Sequence, residues 1–334
     1  MWFSKTKQEQ QLNTASILDE MQTKGIELSI NELIQYQSKA SLIKLAASKN
    51  LHGKMSGNYL ARSKGRGMEF DEARHYQPGD DIRAIDWRVT ARTGKTHTKV
   101  YREERERPVF LFCDYLPSMA FGTQLLTKAV QAAHVSSLIS WSAAARGDKV
   151  GALVFNQQQH KEIKPLTRKK AVLHVCHELM ALHEQSAQSE PDNVKDEQAF
   201  ADACARARRL ARPGSLVYLV SDFQHLSTQA IQHLSHLTRH CEVRAIVIND
   251  PIEHALPQTS SLQTVSVSDG RNQQRWVLGD NTEQQQYQKW RSEHNSAIYS
   301  TLRKNNIARF SVSAGLPLDE QLQSMQQEQR LELN

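Results

Sequence analysis

A chain of 334 residues with 39% hydrophobic and 23% charged residues has the composition of an ordinary globular protein, and no run approaches the roughly 18 apolar residues of a membrane span. The start, MWFSKTKQEQQLNTAS, lacks the apolar centre of a secretory signal, so the expectation is a cytoplasmic protein without membrane insertion. The net charge of +6 permits an acidic partner or nucleic acid, but bases and acids are interleaved and nucleic acid is not expected.

In chain order, residues 1–53 read as an N-terminal helical segment. Ser29 and Glu32 stand at capping-box spacing, and Leu33, Tyr36, Ala40 and Ile43 recur every three or four positions. Residues 52–67 are rich in glycine and base and read as a connector. From Arg62 to Arg107 there are twelve Lys/Arg and nine Asp/Glu, mixed signs that favour a solvated or ion-paired surface. Residues 76–95 read YQPGDDIRAIDWRVTARTGK. Asp80, Asp81 and Asp86, with Lys95 or Lys99, form a candidate metal-dependent hydrolase or nuclease cluster. The simpler reading is a turn at Pro-Gly-Asp-Asp, with Arg88 and Arg92 as ion-pair partners for Asp86. KTHTKVYREE alternates as a strand, so 54–107 is expected to be a charged, β-rich signature region.

At residue 108 the pattern changes. PVFLFCD, DKVGALVFN, SLVYLVSDF and CEVRAIVIND are apolar runs of buried strands, KEIKPL is a shorter strand expected at an edge, and IARFSVS is a last strand. Helical patterns fill 123–146, ending at Gly147, then 168–183, 197–211, 227–240, 281–304 and 317–330. Strands alternating with helices predict an α/β fold with a doubly wound, mostly parallel sheet. The main body is 108–250, completed by a helix-strand-helix in 281–334. Between them, 251–280 reads as a β-hairpin around Asp269 and Gly270, expected to join 54–107 in a small accessory unit.

Asp114 and Asp222 each follow a buried strand. In the doubly wound order their strands are neighbours at the switch point, where ligands bind at strand carboxyl ends. Two carboxylates beside Ser118 would suit a hard ion such as magnesium; alternatively each caps the next helix. Other clusters are weaker. Cys113, Cys176, Cys204 and Cys241 form no Cys-x-x-Cys pair and read as buried thiols. Of His174, Cys176, His177 and His183, Cys176 falls on a core face. His233, His236 and His240 form an exposed stripe. Arg206, Arg208, Arg209 and Arg212 gather at a helix C-terminus, where the dipole favours cations. No phosphate loop, nucleophile elbow or nucleophile–base pair is visible, so enzyme activity finds no support.

The stretch GRGMEFDEARHYQPGDDIRAIDWRVTARTGKTHTKVYREERERPVFLFCDYLPSMAFG resembles bacterial domain-of-unknown-function family fifty-eight. GDKVGALVF, LVSDF and VINDPIEHALP resemble it too, so the likeness runs from about residue 54 to the end. The resemblance implies a von Willebrand factor A-like domain associated with a MoxR-type AAA+ ATPase, acting as adaptor or co-chaperone. It also implies a metal-ion-dependent adhesion site that binds a partner's carboxylate through a divalent ion, Mg2+. The family's Asp-x-Ser-x-Ser motif stands here as Asp114-Tyr115-Leu116-Pro117-Ser118. Asp114 and Ser118 match, Leu116 replaces the middle serine, Asp222 matches the second aspartate, and Thr167 is the candidate threonine.

Overall fold

A computed structural model describes residues 14–43, 68–103, 107–186, 191–257, 259, 261–268 and 273–331. The chain divides into two compact units, one of residues 47–106 and the other of 1–46 with 107–334.

In the smaller unit, β1 (Met68–His75) pairs antiparallel with β2 (His97–Glu103), with a register shift between Phe70 and Glu72. Between them lies α2 (Trp87–Thr93), following the short α1 (Ile30–Ile34) of the other unit. Asp86 caps α2 by accepting from the Arg88 and Val89 amides, and Gly94 closes it at φ +68°. Glycine takes that left-handed conformation without a Cβ clash. The sequence reading finds β2 but misses β1 and α2, although Asp86 and Gly94 are the start and stop signals of a short helix.

The larger unit is built on six strands. They are β3 (Val109–Asp114), β4 (Val150–Phe155), β5 (His160–Leu166), β6 (Leu216–Ser221), β7 (Glu242–Asn249) and, after the hairpin strands β8 (Gln263–Ser268) and β9 (Gln273–Leu278), β10 (Ala308–Ser313). Their order is β10-β7-β6-β3-β4-β5. All neighbours are parallel except β4–β5; the shorter strand KEIKPL lies at the edge as expected, and it runs antiparallel. This is the expected doubly wound, mostly parallel sheet. Its strand order reverses between β3 and β6, placing the two aspartates' strands side by side.

Helices cover both faces: α3 (Lys128–Ala145), α4 (Arg168–Ser186), α5 (Asn193–Leu210), α6 (Thr228–Thr238), α7 (Asn281–Lys304) and α8 (Leu318–Leu331). Alternation along β3 sorts them. Val109, Leu111 and Cys113 face a core with α3 and α4, whereas Phe110 and Phe112 face one with α5, α6 and α7. All four cysteines are buried and free, Cys176 in the core as expected.

α3 is buried from Lys128 through Ala143 because the N-terminal segment covers its outer face. There Ser137 Oγ and Trp141 Nε1 both donate to the Leu33 carbonyl, and His134 pairs with Glu32 at 3.2 Å. The capping box of Ser29 and Glu32 forms, and Leu33 and Tyr36 are buried. The expected long amphipathic helix does not: α1 has five residues, followed by single 3₁₀ turns at Gln35–Gln37 and Ala40–Leu42. A short helix is held by packing rather than by its own propagation, and here the packing is onto α3. The remainder of that segment, 1–13 and 44–53, lies outside the described residues.

The hairpin β8–β9 forms where alternation predicts it, and its turn at Asp269 and Gly270 lies outside the described residues. It belongs to the sheet's compact unit, not to a shared unit with 54–107, which corrects that expectation. Among the described residues no helix is long and apolar enough to cross a membrane.

At the amino end of the sheet, Glu242 of β7 accepts from Arg107 (2.6 Å) and Arg244 (2.6 Å). Burial raises the Glu242 pKa, but the two guanidinium groups outweigh it and hold the carboxyl below the usual range. A depressed carboxyl pKa stabilises the fold above the unfolded value and loses that contribution as pH falls through the folded one. Thermal midpoints measured from pH 6 downward should therefore fall below about pH 4.5. In Glu242→Gln that part of the acid sensitivity should be absent.

Candidate functional site

The crevice at the carboxyl ends of β3 and β6 is built from a few charged side chains. Asp114 ends β3 and is completely buried. One of its oxygens accepts from the Leu116 amide (2.8 Å) and the other from the Ser221 hydroxyl (2.7 Å), a bond across the β3–β6 junction. Burial and the neighbouring Asp222 charge push the Asp114 carboxyl up to about 7.

Asp222 follows β6 and accepts from the Gln224 amide (3.1 Å). The next residue, Phe223, adopts a left-handed backbone, φ +58°, unusual for a bulky side chain. Two things hold it there. Its amide donates to Ser221 Oγ (2.9 Å), and its ring packs at 6.2 Å from Phe200. Phe200 in turn meets Phe112 and Phe155, so an aromatic cluster supports the turn that aims Asp222.

The partner of Asp222 is a residue not anticipated from the sequence. Lys128, first residue of α3 and 2% exposed, places its ammonium 2.7 Å from Asp222 Oδ2 and 2.9 Å from Glu253 Oε1. Glu253 is also bound by Arg291 of α7 at 2.9 Å. The ion-pair chain therefore runs Asp222–Lys128–Glu253–Arg291. Burial works against the charged forms. The acids nevertheless raise the Lys128 pKa, and Lys128 outweighs desolvation to hold Asp222 low. Asp250, buried with no exposure, anchors the Glu253 turn: it accepts from the amide (2.8 Å) and hydroxyl of Thr123 and from the Ile252 amide (3.0 Å).

Of the four residues predicted as ligands, Asp114 and Asp222 meet at the crevice as expected. Ser118 lies in the turn after Asp114, its hydroxyl buried without a hydrogen-bond partner. Thr167 is misplaced. It follows β5, which runs antiparallel, and Leu166 pairs with Val150 whereas Asp114 pairs with Phe155. At about 3.3 Å per residue, Leu166 lies roughly 16 Å along the strand from Asp114 and Thr167 lies beyond it, at the opposite end of the sheet, where it is exposed.

These residues do not fit a magnesium ion. Leu116 offers no oxygen, Thr167 is remote, and a fixed ammonium already sits on Asp222. The Ser118 hydroxyl is buried without a partner, and the Asp114 oxygens already accept from the Leu116 amide and the Ser221 hydroxyl. Among the described residues no group of three or more His, Cys, Asp or Glu can hold a metal.

In the signature region the aspartates serve local structure. The Gln77 amide and Arg74, at 2.7 Å, hold Asp80 below the usual carboxylate range. Asp81 accepts from the Arg83 amide, and Asp86 caps α2 instead of pairing with Arg88 or Arg92. This is the turn framework of the simpler reading.

One exposed feature stands beside the ion-pair chain. Leu256, Arg275, Trp276, Glu283, Tyr287 and Trp290 line a pocket of about 530 Å³ between the hairpin and α7. The rings of Trp276, Tyr287 and Trp290 follow one another at 5.2 and 6.2 Å, and Trp290 is 56% exposed. α7 ties the pocket to the crevice: Tyr287 donates to the Ile252 carbonyl, and Arg291 donates to that of Glu253.

The missed residues left traces in the sequence. Lys128 opens a long buried helix, an unfavourable place for a cation unless acids pair with it. Glu253 lies in VINDPIEHALP, one of the segments that carry the resemblance.

Comparison with known proteins agrees with that resemblance. An uncharacterized protein of Mycobacterium bovis is 31% identical over 221 residues, 66% of this chain and 67% of its own length. An uncharacterized protein of Mycobacterium tuberculosis matches to the same extent. The uncharacterized YeaD of Bacillus subtilis is 30% identical over 104 residues, 30% of this chain and 25% of its own. The model of the protein family of unknown function DUF58 matches residues 72–297, which include β2, the switch-point aspartates, Lys128, Glu253 and Arg291, and the chain belongs to that family.

Proposed function

We propose that this chain is a non-enzymatic interaction protein of the von Willebrand factor A-like kind, an adaptor or co-chaperone that works with a MoxR-type AAA+ ATPase. The observation that supports an interaction role is the aromatic pocket of Trp276, Tyr287 and Trp290. Large rings left partly in water are poor surface and good partner anchors. In the crevice, by contrast, Asp222, Lys128, Glu253 and Arg291 are matched to one another. The ATPase partnership rests on the family resemblance.

The test is a pull-down with tagged wild type and Trp290→Ala, each with and without a magnesium chelator. Trp290 is exposed, so its loss leaves the fold intact. An AAA+ ATPase recovered by wild type and depleted at least about tenfold by Trp290→Ala, the cost of one interface hot spot, is the expected result. Equal recovery by both proteins removes the pocket from the reading. Absence of any ATPase removes the partnership. Recovery that depends on the chelator restores a magnesium bridge on Asp114, Ser118 and Asp222.

A further inference from the structure

The position of Lys128 has a meaning beyond an ordinary ion pair. Its ammonium starts from two disadvantages: it is buried, and it sits in the first turn of α3, at the positive end of the helix dipole. Both are offset only by the acids around it. Asp222 and Glu253 lie at 2.7 and 2.9 Å from one nitrogen, on segments far apart in the chain. Each acid is itself fixed from behind, Asp222 by the Gln224 amide and Glu253 by the Asp250 amide (3.0 Å) and Arg291. Nearby, Leu116 stands where a ligand oxygen is wanted, and the Ser118 hydroxyl is buried with nothing to bind.

We infer that the Lys128 ammonium is the resident cation of the crevice. It takes the charge-balancing place that a divalent ion would otherwise have between Asp114, Ser118 and Asp222, so the wild-type crevice is metal-independent. A monovalent cation tethered to the chain cannot be diluted away or chelated, and it repels any second cation that approaches Asp222. The disagreement between the family's implied ligand set and this chain's residues follows from one substitution of cation for cation. Removing the ammonium should uncover a latent divalent-ion site made of Asp114, Ser118 and Asp222, with water filling the remaining positions. This inference concerns the crevice alone and stands or falls apart from the identity of any partner.

The experiment titrates Mn2+, as a paramagnetic stand-in for Mg2+, into the full-length chain while water-proton relaxation is followed. Wild type should show no one-to-one binding isotherm. Lys128→Ser should gain one, and Lys128→Ser/Asp222→Asn should lose it again. Mn2+ should also raise the thermal midpoint of Lys128→Ser and leave that of wild type unchanged, because a ligand that binds only the folded state stabilises it. If Lys128→Ser unfolds without metal, recovery of its circular dichroism on adding Mn2+ reports the same gain. Lys128→Gln, which keeps length and hydrogen-bond donors, is then titrated in its place. A wild-type isotherm abolished by Asp222→Asn overturns the inference. So does a failure of both Lys128 variants to bind or be stabilised by Mn2+.

Discussion

Lys128→Met should lower stability by about 3–5 kcal/mol, the usual cost of removing one partner of a buried ion pair. For a unit of this size that is a thermal midpoint roughly 6–20 °C lower. Methionine fills the volume of the lysine stem, so little of the loss is a cavity; the cost lies in Asp222 and Glu253, left buried without their shared cation. The double variant Lys128→Met/Asp222→Asn provides the control. It removes one orphaned charge as well, and its midpoint should rise above that of the single variant although it carries one more change. Calorimetry of the three proteins at pH 7 checks this. A single variant within about 2 °C of wild type would mean that water, not Lys128, balances the acids.

Phe200→Ala should cost about 3–5 kcal/mol, as for other fully buried aromatic residues. Phe200 is 0% exposed, and its ring meets those of Phe112, Phe155 and Phe223 at 5.5, 6.1 and 6.2 Å. Its loss leaves a cavity under the turn that carries Asp222. The left-handed Phe223 conformation persists because the surrounding packing over-determines it. A urea midpoint that falls with an unchanged m-value would locate the effect in folded-state packing. A change of less than about 1 kcal/mol would mean that the cluster repacks around the gap.

These two variants act on the two systems that shape the crevice, and the systems differ in how far the sequence reveals them. The packing is the more legible. Continuous apolar runs such as VFLFCD and LVYLVS announce strands buried on both faces, because a parallel sheet covered by helices has no polar side. The helix after Asp280 runs from residue 281 to 304 as its pattern predicts, with the Asp280 side chain as its cap. Where local pattern and tertiary packing disagree, packing wins. The stripe of Leu33, Tyr36, Ala40 and Ile43 promises a long helix, yet only five residues form one and the burial comes from contact with α3.

By itself the sequence determined the α/β class, the edge position of the shorter strand, the buried cysteines, and the pairing of Asp114 with Asp222 at the switch point. Strand alternation and doubly wound order are sufficient for those. Only the tertiary structure decided which charges meet Asp222 in the crevice. Lys128, Glu253 and Arg291 come from a helix start, a turn and a helix that are far apart in sequence, and no local spacing links them. It also decided against Thr167. The reversal of β5 carries that residue to the far end of the sheet, and the direction of an edge strand is set by its pairing with β4, not by its own composition.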